Sequence, residues 1–360
     1  MAVPGAEGSM QRLDLAANTV AVDLDDPLAS WKALSERDAK AGYAVAAGVR
    51  GQIYKFWIAR LVYKLIRRPA GRIYRNIGTH GPEIDALADR IGMPRQDVAI
   101  FQRLYTIAHA PPTGCSSVIF QDSRGAMRHF RSLDWDVMEI GPATRLMSYR
   151  RGGKEVFQCS GILSSVGVLS ATKPGVSVCI NYLPGQSIKS GFDPLMRLRD
   201  IMAEAQGYRG VREAILATNF ASPVAYSVCG TTPDEACVIE VGIGEGSEGF
   251  TIREYDRNVG VLVQTNHYSD SKWANRNAKD SLTVAEAASD PQKAYDVKLE
   301  VSSEARFANI SNGVRALPEK TIDAVRRIWL TPPVWNHETV QWVSMLPAEG
   351  RIENIWWRAS

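Results

Sequence analysis

Residues 114–125 read GCSSVIFQDSRG, and residues 129–135 read HFRSLDW. Two runs of β-type residues thus flank an Asp-Ser-Arg-Gly sequence, which is typical of a tight turn between antiparallel strands. Pairing the two strands as a hairpin would bring Arg131 and Asp134 back toward Cys115. A thiol with a guanidinium and a carboxylate beside it is a candidate nucleophile for covalent catalysis.

The composition is that of a globular protein with a sizeable core. Of the 360 residues, 45% are hydrophobic and 22% are charged, and the formal net charge is only +3. Such a small charge creates no global field that would favour nucleic acid as a partner. The five cysteines are scattered and form no Cys-x-x-Cys or Cys/His cluster, so we expect no metal site and no cofactor.

The N-terminal residues carry no export signal. Residues 1–10 lack a basic start followed by an apolar run. No apolar run in the chain reaches the length of about 18 residues that a membrane-spanning helix needs. We therefore expect a cytoplasmic protein of a reducing compartment.

The sequence pattern changes from mainly helical to mainly β-type near residues 111–114. Before them, the apolar spacing of residues 83–105 predicts two helices, with Gly92 and Pro94 marking the break between them. After them, short β-type runs are interrupted by helices predicted over 194–206 and 210–216. The predicted strands are 116–120, 144–149, 156–159, 166–169, 177–182, 225–229, 236–241, 259–264 and a closing hairpin of 340–346 with 351–357. This alternation predicts an α+β fold of mostly antiparallel sheets.

The spacing of Cys115, Arg131 and Asp134 resembles that of a known enzyme family, the acid ceramidases and N-acylethanolamine acid amidases. These are N-terminal-nucleophile (Ntn) cysteine hydrolases, related to choloylglycine hydrolases and penicillin V acylases. Further blocks in the same order carry the resemblance: the ends of a small α-subunit at 20–34 and 80–83, VGVL at 166–169 with KPG at 173–175, and VQTN at 263–266. Phe130 and Ser132 depart from the Gly and Asn that the family has beside the arginine.

The resemblance implies an Ntn-hydrolase αββα sandwich, with two antiparallel sheets and flanking helices, preceded by a small helical α-segment. It divides the chain into residues 1–114, an α-subunit or pro-segment, and residues 115–360, the catalytic β-subunit. It also implies autocleavage between Gly114 and Cys115, after which the two segments stay associated. The new α-amine of Cys115 has a reference pKa of ~7.7–8.0 and would serve as the base for its own thiol, so no catalytic histidine is required.

The same resemblance implies roles for the neighbouring groups. Asp134 would orient the α-amine, Arg131 would lower the pKa of the thiol, and Asn266 would donate its amide N–H to the oxyanion. A structural alternative stays open for each. Arg131 and Asp134 can be a buried ion pair that only pins the hairpin, and Asn266 can be a turn residue at a strand end.

Two positions near these residues depart from the family pattern. Asn181 is expected to line the oxyanion side, but Tyr182 stands where relatives carry the following glutamate. After Asn266 the relatives' Asp-Asp-Arg-Arg run is missing, and Arg276 is the candidate for the family's second arginine. These departures bear on the identity of the substrate more than on the identity of Cys115 as the nucleophile.

Residues 53–75 form a basic amphipathic stretch. Such a helix can lie on an anionic membrane surface, with Phe56 and Trp57 facing the membrane or the substrate, as Tyr182 would. It can equally pack on the domain with its basic face in solvent. Both interpretations stay open.

The activity that the resemblance implies is hydrolysis of the linear amide bond of an N-acylated amine through a thioester on Cys115. The acyl group would be fatty, as in ceramides or N-acylethanolamines, so the partner is a small-molecule N-acyl amide. Two alternatives stay open. One is an acyltransferase of secondary metabolism that uses the same site, and the other is a non-catalytic lipid-binding relative with an unreactive Cys115.

Overall fold

The computed structural model of the chain describes residues 10–54, 61, 63–65, 68–69, 79–103, 113–185, 190–242, 249–277, 282–296 and 302–358. Two β-sheets pack face to face, and helices cover the outer face of each. The predicted hairpin lies inside one sheet and not at its edge, so Cys115 is surrounded by protein on both sides of its strand.

The first sheet has six strands and is antiparallel throughout. The predicted hairpin supplies two of its inner strands, and the predicted closing hairpin lies beside them. In spatial order the strands are β1 (Met10–Arg12), β14 (Arg351–Arg358), β13 (Thr339–Leu346), β4 (Met127–Trp135), β3 (Thr113–Gln121) and β12 (Val261–Gln264).

The second sheet has eight strands, and one pair departs from the expected antiparallel pattern. In spatial order the strands are β11 (Phe250–Glu254), β10 (Ala236–Val241), β9 (Val224–Cys229), β8 (Val176–Tyr182), β7 (Ser170–Lys173), β6 (Lys154–Ile162), β5 (Thr144–Arg151) and β2 (Thr19–Asp23). The edge strand β2 runs parallel to β5. Parallel neighbours need a long crossover, and the chain between these two strands supplies it.

The helices fall into three groups. The group before Cys115 is α1 (Pro27–Lys32), α2 (Glu36–Tyr54), α3 (Gly81–Ile91) and α4 (Arg95–Gln102). The group that packs on the second sheet is α5 (Pro194–Glu204) and α6 (Gly207–Leu216). The remaining helices are α7 (Val284–Ser289), α8 (Pro291–Asp296), α9 (Ser303–Ala316) and α10 (Ile322–Trp329). The predicted break between α3 and α4 is confirmed, because Gly92 ends α3 in the left-handed conformation with φ 74°.

The tryptophans near the C-terminus pack between the first sheet and helices α9 and α10. Trp329, Trp335 and Trp342 are buried in one apolar cluster with Val118 of β3 and Phe130 of β4. This cluster fixes α9 against the two strands of the predicted hairpin.

One predicted strand is wrong, and the strands β1, β2 and β7 were not predicted. Residues 166–169 form no strand, because the N–H of Val166 is held by the Gln102 side chain and that of Val168 by the carbonyl of Leu195. The short strand β7 begins immediately afterwards. Strands β1 and β2 lie in the segment predicted to be helical, and they pair with β14 and β5. The segment before Cys115 therefore contributes an edge strand to each sheet.

Candidate active site

The predicted hairpin forms, and its register brings Arg131 back to Cys115. Strand β3 pairs with β4 so that Gly114 lies opposite Asp134 and Ser117 opposite Arg131. The turn is stabilised by the Asp122 side chain, which accepts hydrogen bonds from main-chain N–H groups of residues 124 and 126. Gly125 adopts a positive φ of 84°, which glycine tolerates without strain.

Arg131 contacts the thiol directly. Its Nη2 donates a hydrogen bond to the Sγ of Cys115 at 2.8 Å, and the side chain is only 1% exposed. Strand alternation places both side chains on the inner face of the sheet, since Cys115 lies opposite Leu133 and Arg131 lies two residues away from it. The Nε and Nη1 groups of Arg131 have no hydrogen-bond partner among the described residues.

Asp134 lies three residues beyond Arg131 and therefore points to the other face of β4. Its nearest cation is Arg306 of α9, whose Nη1 lies 3.8 Å from the carboxylate. Burial raises the pKa of Asp134. The charge of Arg306, a side-chain hydrogen bond with Thr339 of β13 and the charge of Arg131 only partly oppose this effect.

The thiol of Cys115 is 2% exposed, and the surrounding groups act on it in opposite directions. Burial raises the pKa of the thiol, and the charge of Asp134 adds to this effect. Arg131 and Arg306 favour the thiolate and oppose it. The net shift is upward, so in the uncleaved chain the thiol is protonated near neutral pH and must give up its proton when it attacks.

Asn266 lies beside Cys115 because of the strand register. Strand β12 pairs with β3 so that Gln264 lies opposite Ser117, and two further residues along the chain bring Asn266 to Cys115. The main-chain N–H of Cys115 donates to the Oδ1 of Asn266 at 2.9 Å. The Nδ2 of Asn266 donates to the carbonyl oxygen of Tyr182 at 3.0 Å. In the uncleaved chain it is therefore the amide oxygen, and not the predicted N–H, that faces Cys115.

Arg306 is a residue of this site that the sequence interpretation missed. It is fully buried, and its Nη1 donates to the carbonyl oxygen of Cys115 at 3.1 Å and to the Oγ of Ser116 at 2.9 Å. Its Nη2 donates to the Oδ1 of Asn266 at 2.8 Å. One signal could have indicated it: an arginine that shares the apolar face of a helix with Ile310 and Val314 needs a buried anionic or carbonyl partner.

The remaining sequence candidates lie farther from the thiol. Asn181 accepts a hydrogen bond from the Oγ of Ser117 at 3.0 Å and donates to the carbonyl oxygen of Gln264 at 3.2 Å, so it lies two residues along β3 from Cys115. Tyr182 is half-buried, and burial raises its pKa to about 12. Arg276 lies over the ring of Trp273, 4.2 Å from its centroid. The described hydrogen bonds of Cys115 are made with Arg131, Asn266 and Arg306, and not with Arg276.

A mostly apolar cavity opens next to Cys115. Its walls come from α2 and α4 of the segment before Cys115, and from β4 and α5 of the segment after it. The lining side chains other than Cys115 are Val45, Ala46, Val49, Phe101, Gln102, Leu133, Trp135, Ile162, Ser164, Ser165, Leu169 and Leu195. Such a cavity suits an apolar chain with the thiol at one point of its wall.

Some sequence candidates cannot be placed. Phe56 and Trp57, with most of the basic stretch 53–75, lie outside the described residues. Within the part that is described, no helix is long and apolar enough to cross a membrane. The same part holds no group of three or more His, Cys, Asp or Glu arranged to bind a metal ion.

Comparison with known proteins links this chain to amide hydrolases. No family model matches it. Acid ceramidase of Mus musculus is 23% identical over 290 residues, which are 72% of this chain and 70% of that protein. Acid ceramidase of Bos taurus is 23% identical over 289 residues, 71% of this chain and 70% of that protein. The solved N-acylethanolamine-hydrolyzing acid amidase ortholog of Caenorhabditis elegans matches with a TM-score of 0.51 and 19% identity, over 68% of this chain and 100% of that one. The predicted family resemblance and the Ntn-hydrolase fold are thereby confirmed.

Proposed function

We propose that this chain, a relative of the acid ceramidases and N-acylethanolamine acid amidases, is an Ntn amidohydrolase that hydrolyses the linear amide bond of fatty N-acyl amines. One observation carries the proposal. The Cys115 thiol accepts a hydrogen bond from a buried arginine at the wall of an apolar cavity, while its main-chain N–H is held by Asn266. A purely structural cysteine needs neither a cation on its sulfur nor a cavity beside it.

The first step would be cleavage of the chain itself. The Cys115 sulfur attacks the carbonyl carbon of Gly114 while the thiol proton passes to the Cys115 nitrogen, and the peptide C–N bond breaks to leave a thioester and a free amine on Cys115. Water then hydrolyses the thioester, which gives a C-terminal carboxylate on Gly114 and restores the thiol. Arg306 supports this step, because its charge lies at the main chain of Cys115 and Ser116, where it steadies the backbone beside the scissile bond.

The α-amine created by cleavage would supply the base that the uncleaved site lacks. Its reference pKa of ~7.7–8.0 lets it accept the thiol proton near neutral pH. The thiolate then attacks the substrate carbonyl, the ammonium returns its proton to the leaving amine, and water deacylates the thioester with the amine again as base. Each turnover consumes one amide and one water and releases one carboxylic acid and one amine.

The buried charges of the uncleaved site fit this cycle. The carboxylate of Asp134, buried beside Arg306, can accept a further hydrogen bond from an ammonium at Cys115 once the chain is cleaved. Arg131 favours the thiolate. Asn266 already accepts a hydrogen bond from the nitrogen that becomes the α-amine, so it would orient that amine through its Oδ1. The second N–H of its Nδ2 remains for the developing oxyanion.

The substrate class follows from the cavity and from the relatives. An acyl chain would bury its methylenes against Val45, Val49 and Leu133 and place its carbonyl at Cys115. Ceramides and N-acylethanolamines, the compounds named for the relatives, are both amides of a fatty acid with a hydroxylated amine, which is a long-chain base in ceramides and ethanolamine in N-acylethanolamines. We extend that class to this chain as a fatty N-acyl amine whose amine half lies outside the cavity.

The two segments would remain together after cleavage. Strands β1 and β2, both before Cys115, are hydrogen-bonded to β14 and β5 after it. Helices α2 and α4 of the first segment also form part of the cavity wall. Loss of the first segment would therefore expose two sheet edges and open the acyl site.

Intact mass and hydrolysis assays test the proposal. The purified protein is incubated at acid and neutral pH, and its mass is compared with those of Cys115→Ala and Cys159→Ala. The second variant removes an equally buried strand thiol outside the site. Each protein is then assayed on N-acyl derivatives of 7-amino-4-methylcoumarin from acetyl to palmitoyl.

We expect fragments that break at Gly114/Cys115 and release of coumarin from the longer acyl chains in the wild type and Cys159→Ala. Both should be absent in Cys115→Ala. An intact wild-type chain that releases no coumarin at either pH would refute the proposal and favour a non-catalytic lipid-binding protein. Formation of a new N-acyl amide in place of free acid, when a simple primary amine such as ethanolamine is added, would indicate the acyltransferase alternative.

A further inference from the structure

The first turn of α9 packs against the loop that carries Asn266. Ser303, Arg306 and Phe307 lie on one face of this helix, since side chains three and four residues apart are neighbours on a helix surface. Arg306 holds the Asn266 side chain, and the ring of Phe307 lies against that of His267 with centroids 5.4 Å apart. The loop is thus docked on a single helix face.

The hydroxyl of Ser303 contacts three consecutive residues of that loop. Its Oγ accepts the main-chain N–H of Asn266 at 2.8 Å, donates to the Oγ1 of Thr265 at 3.0 Å and lies 2.9 Å from the Nδ1 of His267. Thr265 in turn donates to the main-chain carbonyl of Ser303 at 3.0 Å. Ser303 is 4% exposed and Thr265 is fully buried, so water cannot replace these bonds.

Ser303 and Arg306 together fix both ends of Asn266. Ser303 holds the main-chain nitrogen, and Arg306 holds the side-chain oxygen at 2.8 Å. That same oxygen accepts the N–H of Cys115 at 2.9 Å. A rotation of the Asn266 backbone would break the first bond and swing the oxygen away from the nucleophile.

We propose that Ser303 is a positioning residue of the amidohydrolase site: its hydroxyl fixes the Asn266 main chain so that the Asn266 oxygen meets the nitrogen of Cys115. The inference rests on the proposed function and deepens it. Ser303 touches neither the thiol nor the cavity, whose lining includes no residue of α9 or of the 265–267 loop. Its loss should therefore change the chemical step and leave binding of the acyl chain unchanged.

His267 makes the arrangement sensitive to acid. Burial, together with the charges of Arg306 and Arg253, lowers the pKa of His267 to about 4. The Nδ1 of neutral His267 can donate to the Ser303 oxygen, whose own proton goes to Thr265, whereas protonated His267 would add a positive charge beside Arg306. A site that depends on Ser303 should accordingly lose activity as the pH falls through about 4.

The test compares Ser303→Ala and Ser303→Thr with the control Ser160→Ala. Ser160 lies in the second sheet, and its buried hydroxyl donates to the Oε1 of Gln341 at 3.1 Å. Three quantities are measured: kcat and KM on the best coumarin amide, the pH profile of kcat, and the rate at which iodoacetamide alkylates Cys115. Thermal melting checks that each variant is folded.

We expect Ser303→Ala to lower kcat about tenfold with KM within about twofold, as for loss of one oriented hydrogen bond near the reacting groups. Ser303→Thr, which keeps the hydroxyl, should recover kcat to within about threefold, and Ser160→Ala should match the wild type. Equal kcat values for Ser303→Ala and Ser160→Ala would overturn the proposal, as would a folded Ser303→Thr that is no better than Ser303→Ala.

Failure of the proposed function gives a different pattern. If the wild type is neither cleaved nor active, alkylation of Cys115 still decides the role of Ser303, because the Cys115–Asn266 bond exists in the uncleaved chain. A change of at least about threefold in the alkylation rate of Ser303→Ala, absent in Ser160→Ala, would support the positioning role. Equal alkylation rates in all variants would refute it.

Discussion

A buried charge cluster around His80 joins the two segments and makes their contact pH-dependent. The Nδ1 of His80 lies 3.1 Å from the Oε1 of Glu83, and its Nε2 lies 3.0 Å from the Oδ1 of Asp200 in α5. Arg199, also in α5, pairs with the Oε2 of Glu83 at 2.8 Å. A neutral imidazole has one N–H, so both His80 contacts are hydrogen bonds to carboxylates only when the ring is protonated.

The electrostatics of the cluster determine the direction of the pH effect. Burial lowers the pKa of His80, but its hydrogen bonds to Asp200 and Glu83 outweigh burial and raise the pKa above its ordinary value, while Arg199 opposes them. Stabilisation by His80 is therefore complete below the unfolded-state pKa of ~6.5 and is lost as the pH rises through the folded-state pKa. Burial raises the pKa of Glu83, but His80 and Arg199 hold it to about 2, so its contribution is lost only in strong acid.

The stability that the His80 cluster contributes can be estimated from its two hydrogen bonds to carboxylates. Each hydrogen bond to a charged group contributes about 1.5–3 kcal/mol, and the Glu83 side chain is 9% exposed whereas that of Asp200 is 28% exposed and partly screened. His80→Gln can keep one N–H on a carboxylate but loses the charge. We expect it to lower the free energy of unfolding by about 2 kcal/mol at pH 5.5 and by less at pH 9, because the wild-type ring loses its proton as the pH rises through its folded-state pKa.

Urea unfolding followed by tryptophan fluorescence measures both values. A Cys115→Ala background keeps the chain uncleaved, so that unfolding does not depend on dissociation of two segments. The control is His337→Gln, since the His337 side chain is 41% exposed and its substitution should cost less than about 0.5 kcal/mol at either pH. An equal loss for His80→Gln at pH 5.5 and pH 9 would refute the assignment of a protonated His80.

Other substitutions test single contacts. Arg306→Lys loses the fork that reaches both the main chain of Cys115 and Asn266, so kcat should fall about 100-fold while KM stays within about twofold; an unchanged kcat would contradict the site geometry. Ala46→Phe should raise KM about tenfold for palmitoyl but not for acetyl amides, and equal effects on both would argue against an acyl cavity. Gly350→Ala would overlap the Pro174 backbone, so urea unfolding should show a loss above about 2 kcal/mol, against about 1 kcal/mol for Gly152→Ala in open space.

The hairpin of β3 and β4 could be predicted from the sequence because everything that forms it lies within one short stretch. The strand residues, the Asp122 side chain and Gly125 are contiguous, and alternation along a strand then places Arg131 on the thiol face. The same rule shows why Asp134, three residues on, lies on the opposite face, where it meets Arg306. Asn266 was included among the candidate site residues because of the family resemblance and not because of the strand pattern.

Other parts of the site could not be predicted because they depend on distant partners. The orientation of the Asn266 amide is determined by two donors, the Cys115 N–H and Arg306, which both require its oxygen. Arg276, soon after Asn266 in the chain, was the sequence candidate for a second arginine at the site. The arginine that contacts Cys115 beside Arg131 is instead Arg306, which α9 brings to the site from farther along the chain. Strand β2 was missed because an edge strand of five residues has little apolar alternation.

The sequence by itself determined the elements whose causes are local: the hairpin, its turn, the break between α3 and α4, and the alternating faces of the strands. Only the tertiary structure decided which charged groups converge on Cys115 and where the apolar cavity lies. The physical reason is that a buried arginine or carboxylate is tolerated only where packing of distant elements supplies its partner. Such a partner, like Arg306 from α9 or His80 across from Asp200, has no counterpart in the local pattern of the chain.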